Sequence, residues 1–299
     1  MTKKNYLLLG IIFGALFLFL ALVNTNLKEV FFILTTINLI PVFLGFIFLG
    51  TGLILKTWRW RILLEKQVLS SKLFAILTVG YLANNLLPAR AGELVRIYLV
   101  GRREKVGISK TIGSIVVKKI LDIFTLILIL LILLFKLPFL KEISKPIFAG
   151  LTIPQKWQER LKFFLSSFKV LKNKQSLLLR NKKTLFLLLL LSFLIWTIEA
   201  FWNYSLFCAL GLKLPLSAAF FLAAIVNLGL FIPSPPGYVG VFHFLATFAL
   251  LPFGVDKSQA LSYAILQHGL EYFILSGLGV WSALKLSFNP LKEKKWRKN

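Results

Sequence analysis

Twice in this sequence a hydrophobic run stops at a proline that is followed, four residues later, by a glycine. The first interruption reads Asn85-Leu86-Leu87-Pro88-Ala89-Arg90-Ala91-Gly92-Glu93, and the second Ile232-Pro233-Ser234-Pro235-Pro236-Gly237-Tyr238. Proline removes a backbone donor and clashes with the preceding turn, while glycine reaches dihedrals closed to other residues. Each apolar run ahead of a break is short for a relaxed membrane span, and each break is followed by another helical pattern. In hydrocarbon, the backbone groups that such a break frees survive only where protein or a wet cavity satisfies them. Paired interruptions in corresponding parts of two halves are the best sequence pointer to a binding site between them.

The surrounding chain requires a membrane. Of 299 residues, 58% are hydrophobic, and mean hydropathy is +0.80, against about 45–50% apolar residues in soluble domains. Hydrophobic segments fall near 6–23, 38–57, 70–87, 112–135, 185–210, 216–232, 236–252 and 259–284. The reading is an all-α, polytopic membrane bundle of about seven to eight hydrophobic segments. Its two Pro/Gly-broken hairpins lie in two pseudo-repeated halves, and 70–87 and 216–252 either span or re-enter. One membrane domain covers 1–299. It comprises a first half to about 135, a basic connector over 136–183, a second half over 184–285 and a basic tail from 286. Tyr6–Val23 is longer than a signal-peptide core and lacks a small-residue cleavage site, so it reads as a retained first span.

Thirty-six Lys/Arg oppose eleven Asp/Glu. The basic residues cluster at the ends of hydrophobic runs, which favours membrane orientation and anionic lipid over nucleic acid. The 136–183 segment holds twelve Lys/Arg against Glu142 and Glu159, and the tail from 285 holds six against Glu293. Both are expected on the cytoplasmic side of a cell membrane, together with the N-terminus, while 24–37 reads as an outside loop. Residues 88–110 are also basic, and there the parity of the spans competes with local charge. The stronger charge of 136–183 favours a crossing at 70–87, with Pro88–Gly92 folded back toward the membrane. Within the connector, Trp157, Leu161, Phe164, Leu165, Phe168 and Leu171 recur at helical spacing, the pattern of an amphipathic interfacial helix. A single cysteine and two histidines offer no disulfide framework and no catalytic metal centre; no cofactor is expected.

Several polar residues lie in or beside these apolar segments. Glu93 and Arg96 are three apart and share a helix face beginning after Gly92, with Arg90 just ahead. Two arginines and free amides suit an anion, although interfacial anchoring would use the same residues. Lys118 and Asp122 are four apart and can neutralise each other within an apolar run. Glu199 and Asn203 form one polar stripe; Tyr263, Gln267 and Glu271 form another, with His268 beside it. Trp58, Trp60, Tyr98 and Tyr238 read mostly as interface-belt aromatics.

The interruptions, with Asn85, Arg90, Glu93 and Arg96 at the first, Gly237 and Gly240 at the second, and Glu271 in the closing helix, resemble the lysylphosphatidylglycerol-synthase transmembrane-region family, often called flippase-like. The resemblance spans nearly the whole chain and implies a many-helix membrane bundle. That family occurs alone or joined to an aminoacyltransferase domain. The sequence through Asn299 reads as a stand-alone member, so no synthase activity is implied. It departs from the family in one place: His243 stands where members often carry an acidic residue.

The function expected is binding and translocation of an anionic or phosphate-bearing lipid, without catalytic residues. Asn85, Arg90, Glu93, Arg96, Ser234, Gly237, Tyr238 and Glu271 would bind the head group. Lys118, Asp122, Glu199, His243 and Gln267 are secondary candidates. The partners expected are anionic membrane lipids, with a homo-oligomer or a partner membrane enzyme also open, and no nucleic acid. The alternatives are a membrane transferase acting on a lipid or polyprenyl phosphate, with Glu93 or Asp122 as base, and a non-catalytic lipid-binding subunit.

Overall fold

The computed structural model describes residues 3–87, 91–137, 181–230 and 235–287. Pro88, Arg90, Pro233, Ser234, the amphipathic pattern of 157–171 and the tail from 288 lie outside the described residues. All eight hydrophobic segments are helical. They form α1 (Lys3–Leu22), α3 (Leu39–Leu63), α4 (Ser70–Leu86), α6 (Ile108–Lys136), α7 (Lys182–Ala209), α8 (Leu216–Gly229), α9 (Val241–Leu250) and α10 (Lys257–Ser287). Two shorter helices, α2 (Leu27–Thr35) and α5 (Ala91–Tyr98), complete ten among the described residues.

Helix α2 corrects the loop expected at 24–37. Asn24 takes a positive φ of 55°, and the chain turns by 86° between the end of α1 and α2. Asn26 then accepts from the amides of Lys28 and Glu29, capping a new helix. Asn38 and Asn181 cap α3 and α7 in the same way. Among the described residues, three helical stretches are long and apolar enough to cross a bilayer: Leu39–Leu63, Lys182–Ala209 and Pro236–Phe253. The bent α1–α2 pair would make a fourth. Helices α6 and α10 match that length but carry charged and polar groups along it.

The bundle is organised by antiparallel pairs. The Asn38 amide donates to the Ala209 carbonyl, joining the start of α3 to the end of α7. Along that seam Gly45 admits the Trp202 ring, since a Cβ there would stand 2.6 Å from it. In the second pair, Thr78 of α4 donates to Ser282 of α10 at 2.8 Å. Helix α8 packs against α6, α7 and α9 through small buried residues, among them Ala218, Ala219 and Ala224.

Both short helices end at the breaks. Helix α4 has 17 residues and α8 has 14, roughly 26 and 21 Å of rise against a hydrocarbon core of about 30 Å. Past the second break, Pro236–Tyr238 make one 3₁₀ turn, and Gly237 and Gly240 have φ of 67° and 84°. Gly240 also lies against the backbone of α1, where a Cβ would be 1.9 Å from the Gly14 carbonyl oxygen. The first helix therefore buttresses the second break. Substituting Gly240→Ala should cost about 2–4 kcal/mol, from a strained φ plus overpacking. Gly50→Ala, in open space, should stay within about 1 kcal/mol of wild type. Thermal unfolding in detergent compares the two, and equal losses would contradict this packing.

Candidate functional site

The described flanks of the two breaks lie side by side. A Cβ on Gly237 would be 3.5 Å from the Asn85 carbonyl oxygen. Both flanks are tied to α10. Asn85 Nδ2 donates to the Ser276 hydroxyl at 2.9 Å and to the Tyr272 carbonyl at 3.4 Å. His268 Nε2 lies 2.6 Å from the Gly237 carbonyl, which can only accept, so that nitrogen carries the proton. His243 Nδ1 accepts from the Gly240 amide at 3.4 Å, and its ring stands 4.8 Å from that of His268. The two histidines thus brace the second break.

Between the breaks and α3, α7 and α8 is a cavity of about 250 Å³. Leu49, Leu53, Val226 and Phe242 supply part of an apolar wall. Among the described residues, three charged ones line it: Lys56, Glu199 and Glu271. Lys56 Nζ pairs with Glu199 Oε2 at 2.9 Å, both side chains being largely buried. Glu271 Oε1 accepts from Trp202 Nε1 at 2.7 Å and from Gln267 Nε2 at 3.3 Å, both neutral donors. Asn203 accepts from the buried Tyr263 hydroxyl at 3.1 Å. Polar side chains at membrane depth are costly unless partnered, and this network partners most of them internally.

A second polar cluster lies apart from the cavity. Arg96 is buried, with Nη2 donating to the Leu77 carbonyl at 3.0 Å and Nη1 pairing with Glu93 at 3.3 Å. Lys119 reaches the same Glu93 oxygen at 3.8 Å. The Arg96 guanidinium lies 4.6 Å from the Tyr81 ring centroid, and Tyr81 lines the cavity on its own account. One aromatic residue therefore touches both groups. Arg59, buried on α3, pairs with Asp122 at 2.7 Å and donates to Ser192 at 2.8 Å.

Of the residues singled out in the sequence, Asn85, Gly237, Tyr238, Glu199, Gln267 and Glu271 surround the cavity. Glu93, Arg96, Lys118 and Asp122 belong to the other cluster, and His243 acts behind the second break. Arg90 and Ser234 fall outside the described residues. Asp122 finds its ion-pair partner in Arg59 of a neighbouring helix rather than in Lys118, whose ammonium sits 5.9 Å from the Trp60 ring centroid. Trp60 is not a belt residue. It is fully buried and donates to the Ser114 hydroxyl at 3.0 Å.

Sequence reasoning misses Lys56 as a site residue because, at the end of the run near 38–57, it reads as the first residue of the basic loop that follows. The recurrence of Leu53, Thr57, Trp60, Leu63 and Leu64 at helical spacing would have carried α3 onward and placed Lys56 inside it. Asn84, Asn227 and Tyr272 also line the cavity. Asn84 and Tyr272 each stand beside a residue singled out in the sequence, Asn85 and Glu271.

The family model described as the lysylphosphatidylglycerol synthase TM region matches residues 7–154 and 147–279. The chain belongs to that family. A UPF0104 membrane protein of Methanocaldococcus jannaschii is 29% identical over 232 residues, covering 71% of this chain and 97% of its own length. A UPF0104 membrane protein of Methanothermobacter thermautotrophicus is 23% identical over 287 residues, covering 81% and 83%. No solved structure matches. The helical bundle is accordingly a multi-pass membrane protein.

The cavity's ion pair is directly testable. Lys56→Ala should cost about 3 kcal/mol by stranding Glu199, and adding Glu199→Gln should restore at least about half of that loss. Thermal unfolding in detergent reads both. Equal destabilisation in the single and double variants would contradict the pairing.

Proposed function

We propose that this protein binds and translocates a phosphate-bearing membrane lipid. The head group enters the cavity between the two breaks while the acyl chains remain in the bilayer. The single observation that carries this reading is that the described flanks of the two interrupted helices meet beside a polar cavity. A structural turn needs no such lining, whereas a polar group passing through hydrocarbon does. Family membership supports the same reading, since the matched model is the membrane region of a lipid-modifying enzyme.

In this account each break is one hairpin of a pseudo-repeated half, and both termini face the cytoplasm, where the basic connector and tail meet anionic lipid. The protein moves lipid without changing it. Lys56, Glu199 and Glu271 form the polar interior of the path. The Arg59, Arg96 and Lys118 cluster lies behind Tyr81 and sets the position of α5 and α6.

Reconstitution tests this. In liposomes containing trace acyl-labelled fluorescent phosphatidylglycerol, wild-type protein should make the inner-leaflet label accessible to an external quencher. Glu271→Ala should slow that exchange at least about tenfold, equivalent to about 1.4 kcal/mol on the barrier, while still eluting as a monodisperse protein. Exchange no faster than in empty liposomes would overturn the reading, and a new lipid product would point to the transferase alternative.

A further inference from the structure

The cavity's chemistry narrows what it can receive. The first constraint is charge. Lys56 is committed to Glu199, and among the described residues Glu271 receives only neutral donors. An anion placed among these groups would meet two carboxylates and one cation already paired, and among the described residues no other Lys or Arg lines the cavity. Burial of a phosphate under such conditions is unfavourable, because no uncommitted cation among the described lining compensates its lost hydration.

The second constraint is the inventory of hydrogen-bonding groups left over. Asn84 spends its Oδ1 on the Gly92 amide and Asn203 spends its Oδ1 on Tyr263, which leaves their Nδ2 donors uncommitted among the described residues. Asn85 and Asn227 do the reverse. Their Nδ2 groups donate, to Ser276 and to the Ala223 carbonyl, and their Oδ1 acceptors are left over. The second oxygens of Glu199 and Glu271 add acceptors. An ammonium group brings donors only and leaves the two amide nitrogens unmatched. A phosphate brings acceptors only and leaves four oxygens unmatched. A hydroxyl both donates and accepts, so a set of hydroxyls can satisfy both halves of this lining.

We infer that the group entering the cavity is an uncharged polyhydroxyl moiety, a polyol or a single sugar, carried beyond the lipid phosphate, which stays outside. This rests on the cavity being the head-group site of the translocation reading. The volume of about 250 Å³ sits just below the range of roughly 300–1,000 Å³ for small-molecule sites, so it suits one ring or a short polyol. Tyr81, Phe242 and Tyr272 on the wall offer rings against which the C–H faces of such a group can pack.

Two measurements test this together. Detergent-purified protein is titrated by calorimetry with myo-inositol, inorganic phosphate and ethanolamine. In liposomes, labelled phosphatidylinositol, phosphatidic acid and phosphatidylethanolamine with identical acyl chains are compared for exchange. Inositol should bind at least about tenfold more tightly than phosphate or ethanolamine, and phosphatidylinositol should exchange faster than the other two lipids by a similar factor. Asn203→Ala and Asn85→Ala should each erase most of that preference. If phosphate or ethanolamine binds as tightly, or phosphatidic acid or phosphatidylethanolamine exchanges as fast, the inference is overturned while translocation stands. Inositol binding without exchange of any lipid would uphold the inference and overturn translocation. If nothing binds and nothing moves, both fail.

Discussion

Both interruptions are fastened to one helix, and the rest of the arrangement follows from that. α10 receives the Asn85 side chain on Ser276 and Tyr272, and a turn away its His268 holds the Gly237 carbonyl. A helix end within an apolar bundle leaves unsatisfied backbone groups, and hydrocarbon offers them no water. Here side chains of α4 and α10 take over part of that work, so the described flanks of the breaks are tied beside each other. The space that neither helix fills becomes the cavity.

Charge is divided in an ordered way. Lys56, Glu199 and Glu271 face the cavity, whereas Arg59, Arg96, Lys118 and Lys119 gather with Glu93 and Asp122 around α5 and α6. Tyr81 stands between the groups, with one face of its environment in the cavity and its ring against Arg96. Separating the other basic residues from the cavity leaves its described lining with one cation and two carboxylates. Such an interior disfavours a free anion. His243 fits the same logic, since a neutral ring can cap α9 and rest on His268 where a carboxylate would need a cation.

Much of this was legible from the residues, because hydrophobic length and Pro/Gly punctuation are local signals. The eight apolar segments, both breaks, and the polar stripes at Glu199 and Gln267–Glu271 all emerge from spacing along single helices. What escaped depends on contacts between helices. The i, i+4 rule offered Lys118 to Asp122, but Arg59 from α3 takes that carboxylate, and nothing in the spacing of α6 announces a partner 63 positions away. Glu93 and Arg96 do share a face and do pair, yet that face turns toward Leu77 and Tyr81 instead of the cavity. Helix α2 was missed because nine residues between two longer runs read as a connection, although Asn26 already carried its capping signal.

The central claim is that the two interrupted helices meet at one cavity, and paired cysteines test it most directly. In a Cys208→Ser background, Asn85→Cys combined with Tyr238→Cys should be joined by a short bifunctional thiol reagent in native membranes, and myo-inositol should slow the reaction. Efficient joining of this pair, with no joining of an Ile47→Cys and Tyr238→Cys control on the exposed face of α3, is the expected result. Joining of the two pairs at equal rates, or no joining of the first, would contradict the account.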